Sequence, residues 1–147
     1  MREAGQIAFG VQFGRQLTDD EYNQVRQPLI DMYDGGVRYT DYLVGEVLRV
    51  WKEAGRLDNT VVVILGDHGE VMGEHRAFGH VSPVTEQDFS VPLLMRYPSK
   101  IPGGSVVEPA VSTVGTFASI MDLLDYGEPE TVQVGSLIPG IEGEIVG

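Results

Sequence analysis

The sequence predicts an α/β fold in which a few mainly parallel strands are flanked by helices. Three patterns predict this class. A helical periodicity runs from about residue 19 to 54, an apolar and β-branched run at 60–66 is typical of a buried strand, and 91–97 has the composition of a second strand. A shorter helical pattern follows at about 116–124. Strands that alternate with helices favour a layered arrangement with parallel pairing.

So few strands indicate that this domain is incomplete. A parallel sheet needs both of its faces covered, and two or three strands with two helices cannot achieve that alone. We therefore expect residues 1–147 to be a fragment of a larger catalytic domain. Residues 1–17 carry no clear period.

The long helix has a recognisable start. Thr18-Asp19-Asp20-Glu21 fits a capping box, in which the first side chain accepts an N–H and the last reaches back. Pro28 and the Gly35-Gly36 pair predict a kink or a break within it. Apolar residues recur at helical spacing and predict a buried face: Leu29, Ile30, Tyr33, Val37, Val44, Val47, Leu48 and Trp51.

Composition excludes several classes of partner. Ten basic and 22 acidic residues give a formal charge of −12, which argues against nucleic acid and against an anionic membrane surface. The chain has no cysteine, so disulfides, thiolate metal sites and a cysteine nucleophile are excluded within it. No secretory signal is visible, and no apolar run approaches the ~20 residues that span a bilayer. Compartment and oligomeric state stay open.

Asp67 and His68 are the first candidates for chemistry, because they follow the predicted strand directly. Ligands of open α/β sheets bind beyond the carboxyl ends of strands. A carboxylate and an imidazole together suit a divalent metal, and Gly66 and Gly69 allow a close backbone approach to it. The alternative is that Asp67 caps the next turn while His68 makes a local hydrogen bond.

His80 is the second candidate, in the sequence Phe78-Gly79-His80. An imidazole near a metal can bind a substrate anion or protonate a leaving group. A surface histidine in a long loop, predicted for residues 67 to about 87, is the alternative. Glu70, Glu74 and His75 could supply further ligands, although carboxylates that orient ligand histidines, or solvated residues, explain them as well.

Several motifs in order along the chain resemble the later part of the catalytic domain of the sulfatases, in the alkaline phosphatase superfamily. The resemblance covers roughly residues 28–140. The motifs that carry it are Tyr33-Asp34-Gly-Gly-Val-Arg38, Leu57-Asp-Asn-Thr60, Gly66-Asp67-His68-Gly69-Glu70, Gly73-Glu74-His75, Phe78-Gly79-His80, Val91-Pro92-Leu-Leu-Met-Arg-Tyr-Pro98 and Gly135-Ser136-Leu-Ile-Pro139.

The resemblance implies a partial alkaline-phosphatase-like layered fold and hydrolysis of a sulfate ester. It implies that Asp67 and His68 ligate a divalent cation, usually calcium, and that His80 contacts the ester. Manganese and zinc are alternatives, since calcium prefers oxygen ligands. The family nucleophile is a formylglycine made within Cys/Ser-x-Pro-x-Arg. That pattern is absent here, as is the strand with paired metal-binding aspartates.

The function predicted from the sequence is therefore a sulfuric ester hydrolase fragment that is inactive alone. Two alternatives remain open. One is a phosphoester or phosphonate ester hydrolase of the same superfamily, which the Asp67-His68 pair with manganese or zinc would suit. The other is a non-catalytic remnant that binds a partner subunit, and such a module should expose an apolar face where absent strands would pack.

Overall fold

The computed structural model forms two compact units, here called unit 1 and unit 2. The residues that the structure describes are 2–12, 15–80, 84–108, 110–127 and 130–141. Unit 1 comprises Met1–Arg49 and Gly66–Pro92, and unit 2 comprises Val50–Leu65 and Leu93–Gly147.

Helix α1, Arg2–Gln12, opens the chain where the sequence shows no clear period, and helix α2 follows at Asp19–Glu53. The predicted capping box is present. The Thr18 N–H donates to Glu21 Oε2 at 3.0 Å, and the Glu21 N–H donates to Thr18 Oγ1 at 3.3 Å. These bonds satisfy two donors that a helix start leaves without intrahelical partners.

The predicted break in α2 does not occur. The helix is continuous through Pro28 and the glycine pair at 35–36. Val25 and Leu29, on either side of Pro28, are buried in the core of unit 1, and their burial offsets the backbone hydrogen bond that proline cannot make.

The core of unit 1 joins α2 to a hairpin. Val25, Leu29 and Phe78 are buried together, with partly buried Ile7, Leu17 and Tyr22 packed against them. The hairpin pairs strand β2, Val71–Met72, with strand β3, Phe78–Gly79, in antiparallel register: Val71 opposes Gly79 and Met72 opposes Phe78. The segment 67–87, predicted as a long loop, therefore contains regular structure.

The tip of the hairpin is tied to the start of α2. The Tyr22 hydroxyl donates to the Gly73 carbonyl at 2.9 Å. Arg76 pairs with Asp19 at 2.9 Å, donates to the Leu17 carbonyl at 2.9 Å, and lies over the Tyr22 ring. Arg76 and its neighbour His75 adopt left-handed backbone angles, φ 59° and 53°, which these contacts hold in place.

Unit 2 is built on strand β1, Val62–Leu65, and strand β4, Leu93–Arg96, with helix α4, Thr116–Leu123, and a short helix at Ile138–Ile141. Its core contains Ile101, Leu123 and Ile138, against which Val61, Met95 and Tyr97 pack. The buried Ser119 hydroxyl donates to the Gly115 carbonyl and accepts from the Leu137 N–H, which ties α4 to the chain before Ile138.

The prediction of mainly parallel strands is wrong for the described residues. β1 pairs with β4 in antiparallel register, with Val62 opposite Arg96 and Leu65 opposite Leu93, and β2 with β3 is antiparallel as well. The reason lies in the connection. Parallel pairing requires a crossover to the far end of the sheet. Here the last residue of β1 lies opposite the first residue of β4. The chain between them therefore leaves and re-enters the sheet at the same end of the two strands.

The apolar face predicted for α2 is buried only near its start. Val37 and Val47 have more than half of their surface exposed, and Tyr33 and Trp51 more than two fifths. An amphipathic helix normally covers such a face with other elements. In the parts of the chain that the structure describes, no helix has both the length and the apolar character needed to cross a bilayer.

We expect Thr18→Ala to lower the free energy of unfolding by about 1 kcal/mol, because alanine cannot accept the Glu21 N–H at the start of α2. Urea unfolding followed by far-ultraviolet circular dichroism measures this change. Thr40→Ala makes the same atomic change in the interior of α2 and should not lower stability, since alanine favours helix. Equal losses in both variants would contradict the capping role.

Candidate active site

The candidate site lies in unit 1, at residues that the backbone places just outside regular elements. Asp67 and His68 come shortly after the last residue of β1, Leu65. Glu70 immediately precedes β2, and His80 immediately follows β3. Because β2 and β3 are antiparallel with Val71 opposite Gly79, the next positions outward, 70 and 80, face each other.

Glu70, His68 and His80 are in direct contact. His80 Nδ1 lies 3.1 Å from Glu70 Oε2, and the centroids of the His68 and His80 rings are 4.1 Å apart with an interplanar angle of 38°. The two histidines that the sequence singled out, separated by eleven intervening residues, are therefore neighbours in space.

Asp67 lies on the same side as His68. Its Oδ1 accepts the His68 N–H at 3.0 Å, and its Oδ2 lies 4.0 Å from His68 Nε2. The Asp67 side chain is 92% exposed, so the carboxylate remains open to a ligand. The two groups converge, which a regular extended strand would not allow because neighbouring side chains there point to opposite faces.

The hydrogen bonds of His68 fix its tautomer. Its Nδ1 lies 2.9 Å from the Gly69 carbonyl oxygen, which can only accept, so Nδ1 carries the proton. In the neutral ring, the lone pair is then on Nε2, the atom nearest to Asp67 Oδ2. A neutral imidazole nitrogen beside a carboxylate oxygen is a donor pair that suits a divalent cation.

A second ligand set shares His68 with this pair but does not include Asp67. His68, Glu70 and His80 each offer a nitrogen or oxygen ligand atom, and these atoms lie within 4.8 Å of one another. Two imidazoles and a carboxylate form a mixed nitrogen and oxygen donor set, which suits manganese or zinc as well as it suits harder cations. The residues present are thus compatible with a divalent metal.

The electrostatic environment of His68 is negative. The pKa of His68 is raised above its ordinary value, chiefly because the Gly69 carbonyl accepts a hydrogen bond from the ring. Partial desolvation acts in the opposite direction, and the charges of Asp67, Glu70 and Asp88 add to the rise. Carboxylates that favour a proton on this ring also favour a metal cation beside it.

A close backbone contact holds the His68 segment against helix α3, Glu86–Phe89. The Gly69 N–H donates to the Asp88 carbonyl at 2.7 Å, and a Cβ added at Gly69 would lie 1.9 Å from the Gln87 carbonyl oxygen. Only glycine fits this approach. α3 itself begins with a capping box, in which the buried Asp88 carboxylate accepts from Thr85.

Two further sequence candidates lie outside the cluster. Glu74 Oε2 accepts the Met72 N–H at 2.7 Å and so supports the hairpin turn. His75 is exposed at the hairpin tip and does not belong to the metal-type cluster found among the described residues. Sequence reasoning did not anticipate that Asp88 would lie near His68, because nothing in its spacing signals the fold-back of α3.

Comparison with known proteins decides the family. The sequence profile of the sulfatase family matches residues 10–126. The chain belongs to the sulfatase family. Among characterised sulfatases, it is 32% identical to arylsulfatase K of Danio rerio over 84% of this chain, and 30% identical to N-acetylglucosamine-6-O-sulfatase of Bacteroides thetaiotaomicron over 89%.

Solved structures agree with this assignment and with the predicted alkaline-phosphatase-like class. The phosphonate monoester hydrolase of Silicibacter pomeroyi superposes with a TM-score of 0.73 at 30% identity over 90% of this chain. A protein solved with its substrate D-glucosamine-2-N,6-O-disulfate superposes with a TM-score of 0.66 at 31% identity over 74%. This sulfatase chain spans 22% and 23% of the two sulfatase relatives named above, and 25% and 22% of the two structures.

We expect Gly69→Ala to destabilise unit 1 by about 1–3 kcal/mol, the usual cost of forcing extra atoms into a packed site. The new Cβ would displace the Gln87 carbonyl and with it the His68 segment. Thermal unfolding measures the loss. Gly103→Ala is the matched control, since nothing lies within 4 Å of a Cβ there. A stable Gly69→Ala variant would show that the fold-back of α3 is not required.

Proposed function

We propose that this chain provides the metal-binding and substrate-anion side of a sulfatase active site. Asp67 and His68 hold a divalent cation, and His80 contacts the sulfate ester or protonates the leaving alcohol. One observation carries the proposal: in unit 1, His68 is near both other candidates, with its Nε2 4.0 Å from Asp67 Oδ2 and its ring centroid 4.1 Å from that of His80.

The donor chemistry supports a metal at Asp67 and His68. The carboxylate is open, and the Gly69 carbonyl leaves His68 Nε2 free to ligate. When bound, the cation would act as a Lewis acid on the ester oxygens and orient them. Calcium is the first expectation by family resemblance. The imidazole ligand makes manganese or zinc the alternatives, because calcium prefers oxygen ligands.

His80 suits an anionic substrate because of where it lies. Its side chain is 52% exposed, its ring contacts His68, and its Nδ1 is taken by Glu70. Nε2 is therefore the atom that can meet an ester oxygen. An imidazole next to a metal-bound ester can donate a hydrogen bond to the anion and pass a proton to the departing alcohol.

A sulfate ester is the proposed substrate class, and its alcohol is left open. The relatives support this class through what they act on: one is named for the 6-O-sulfate of N-acetylglucosamine, and one was solved with a sulfated glucosamine. The nucleophile pattern Cys/Ser-x-Pro-x-Arg does not occur in the 147 residues, so we infer that turnover needs groups beyond this sequence.

The metal assignment predicts a binding experiment. Isothermal titration of the 147-residue chain with calcium, manganese and zinc chlorides should show a site that Asp67→Ala and His68→Ala each weaken about tenfold or more. His75→Ala is the matched control, since it removes a histidine of the same segment outside the cluster. A His68→Ala chain that binds like the wild type would refute the assignment.

The missing nucleophile predicts that the purified chain does not hydrolyse an aryl sulfate faster than its His68→Ala variant. Oxyanion contacts and metal alone give little rate without an activated nucleophile. Colorimetric assays with paired aryl sulfate, phosphate and phosphonate esters measure this. Turnover of the sulfate above the control would show that the chain carries its own nucleophile.

The alternative reaction class has one observation in its favour, the superposition on a phosphonate monoester hydrolase. The same candidate residues, Asp67, His68 and His80, could serve a phosphonate or phosphate ester with manganese or zinc. Rates on the paired esters separate the two classes only in a complete domain. Metal preference separates them in this chain: strong zinc or manganese binding without calcium binding favours the phosphonate class.

The exposed apolar face of α2 favours a further alternative, a module without catalysis that binds a partner subunit. The described parts of the chain leave more than half of the surface of Val37 and Val47 exposed, and more than two fifths of that of Tyr33. An apolar patch of this kind commonly marks a packing surface. Size-exclusion chromatography with an apolar dye tests it, and a monodisperse chain that binds no dye would count against it.

A further inference from the structure

Glu70 stands out within the cluster because it is the most protected member. Its side chain is 20% exposed, against 46% for His68 and 52% for His80. The hairpin register places it directly across from His80, and its Oε2 lies 3.1 Å from His80 Nδ1. The proposed function assigns roles to Asp67, His68 and His80, and it assigns none to the Glu70 carboxylate.

We propose that Glu70 is a positioning residue that fixes the tautomer and the orientation of the His80 ring. The inference rests on the proposed function only for what His80 then does. The geometry itself is local: an ionised carboxylate can only accept hydrogen bonds, so the contact with Nδ1 requires that Nδ1 carry the hydrogen. Nε2 is then left as the atom that faces a substrate.

The ring needs such a partner because little else among the residues that the structure describes restrains it. His80 follows a strand of two residues, its side chain is half exposed, and Gly79 before it has a left-handed φ of 96°. Contact with the His68 ring limits tilt but does not select between the two ring nitrogens. A single charge-assisted hydrogen bond selects both the nitrogen and the direction of the ring.

A carboxylate that holds one nitrogen of a histidine while the other nitrogen meets a metal or substrate is a common device for orienting that ring. Glu70 could instead be a direct metal ligand, since its oxygen lies within the ligand cluster. The two roles give different results. A positioning residue changes His80 without metal, whereas a ligand changes metal affinity.

Nitrogen-15 nuclear magnetic resonance of histidine-labelled, metal-free chain measures the tautomer. Spectra are recorded at alkaline pH, because the two tautomers are defined only for a neutral imidazole ring. The His80 signals are assigned by their loss in His80→Gln. We expect the wild type to show the Nδ1–H form of His80. Glu70→Ala should lose this preference and move toward the Nε2–H form that free imidazole favours.

Glu70→Asp is the second variant, because it keeps the charge and shortens the reach, and it should also lose the Nδ1–H preference. It decides the matter if Glu70→Ala fails to fold. Glu86→Ala, which removes an exposed glutamate from α3, is the control and should leave His80 unchanged. Backbone amide spectra report whether each variant keeps the fold.

Three outcomes overturn the inference: a wild-type His80 in the Nε2–H form, a folded Glu70 variant that retains the wild-type tautomer, or a change in Glu86→Ala equal to that in Glu70→Ala. Metal titration adds a fourth: a loss of affinity of about tenfold in Glu70→Ala would assign Glu70 as a ligand. The tautomer is measured without metal and without turnover. The result for Glu70 therefore does not depend on whether the proposed function is correct.

Discussion

The pairing of Val71 with Gly79 and of Met72 with Phe78 sets the register that brings Glu70 opposite His80. A shift by one residue would turn each hairpin side chain to the other face and would separate the two groups. The register is set by burial: Phe78 and Val71 are almost completely inaccessible, and Phe78 packs against α2. Apolar packing of the hairpin therefore fixes the backbone positions of Glu70 and His80.

Asp67 and His68 could be predicted from the sequence because an apolar, β-branched strand ends just before them, and the family resemblance supplied His80. The strand was predicted to be buried, but none of its four residues is fully buried and Leu65 is exposed. The link between Glu70 and His80 could not be predicted, since strands of two residues are too short to show an alternating pattern. The contact of α3 with Gly69 could not be predicted either. A glycine that is required by a neighbour distant in sequence has no local sequence feature that distinguishes it from other loop glycines. The site roles themselves stay predictions.

The fold shows the same division between local and distant causes. The capping box at Thr18 was predictable because all of its partners lie within four residues. Strand direction could not be predicted in this way. The alternation of helix and strand suggested parallel pairing, but the chain re-enters the sheet at the end where it left, so β1 and β4 are antiparallel. Helix α1 was not predicted, and its Ile7 packs against the core that joins α2 to the hairpin.

The bond between the Tyr22 hydroxyl and the Gly73 carbonyl joins residues 51 positions apart. Closing so large a loop costs chain entropy before any contact within it stabilises the fold, and folding slows as such separations grow. The long helix can form early from its own turns. The hairpin that carries His80 gains its support only after the chain has returned to the beginning of that helix, so we expect the geometry of the candidate site to form late in folding.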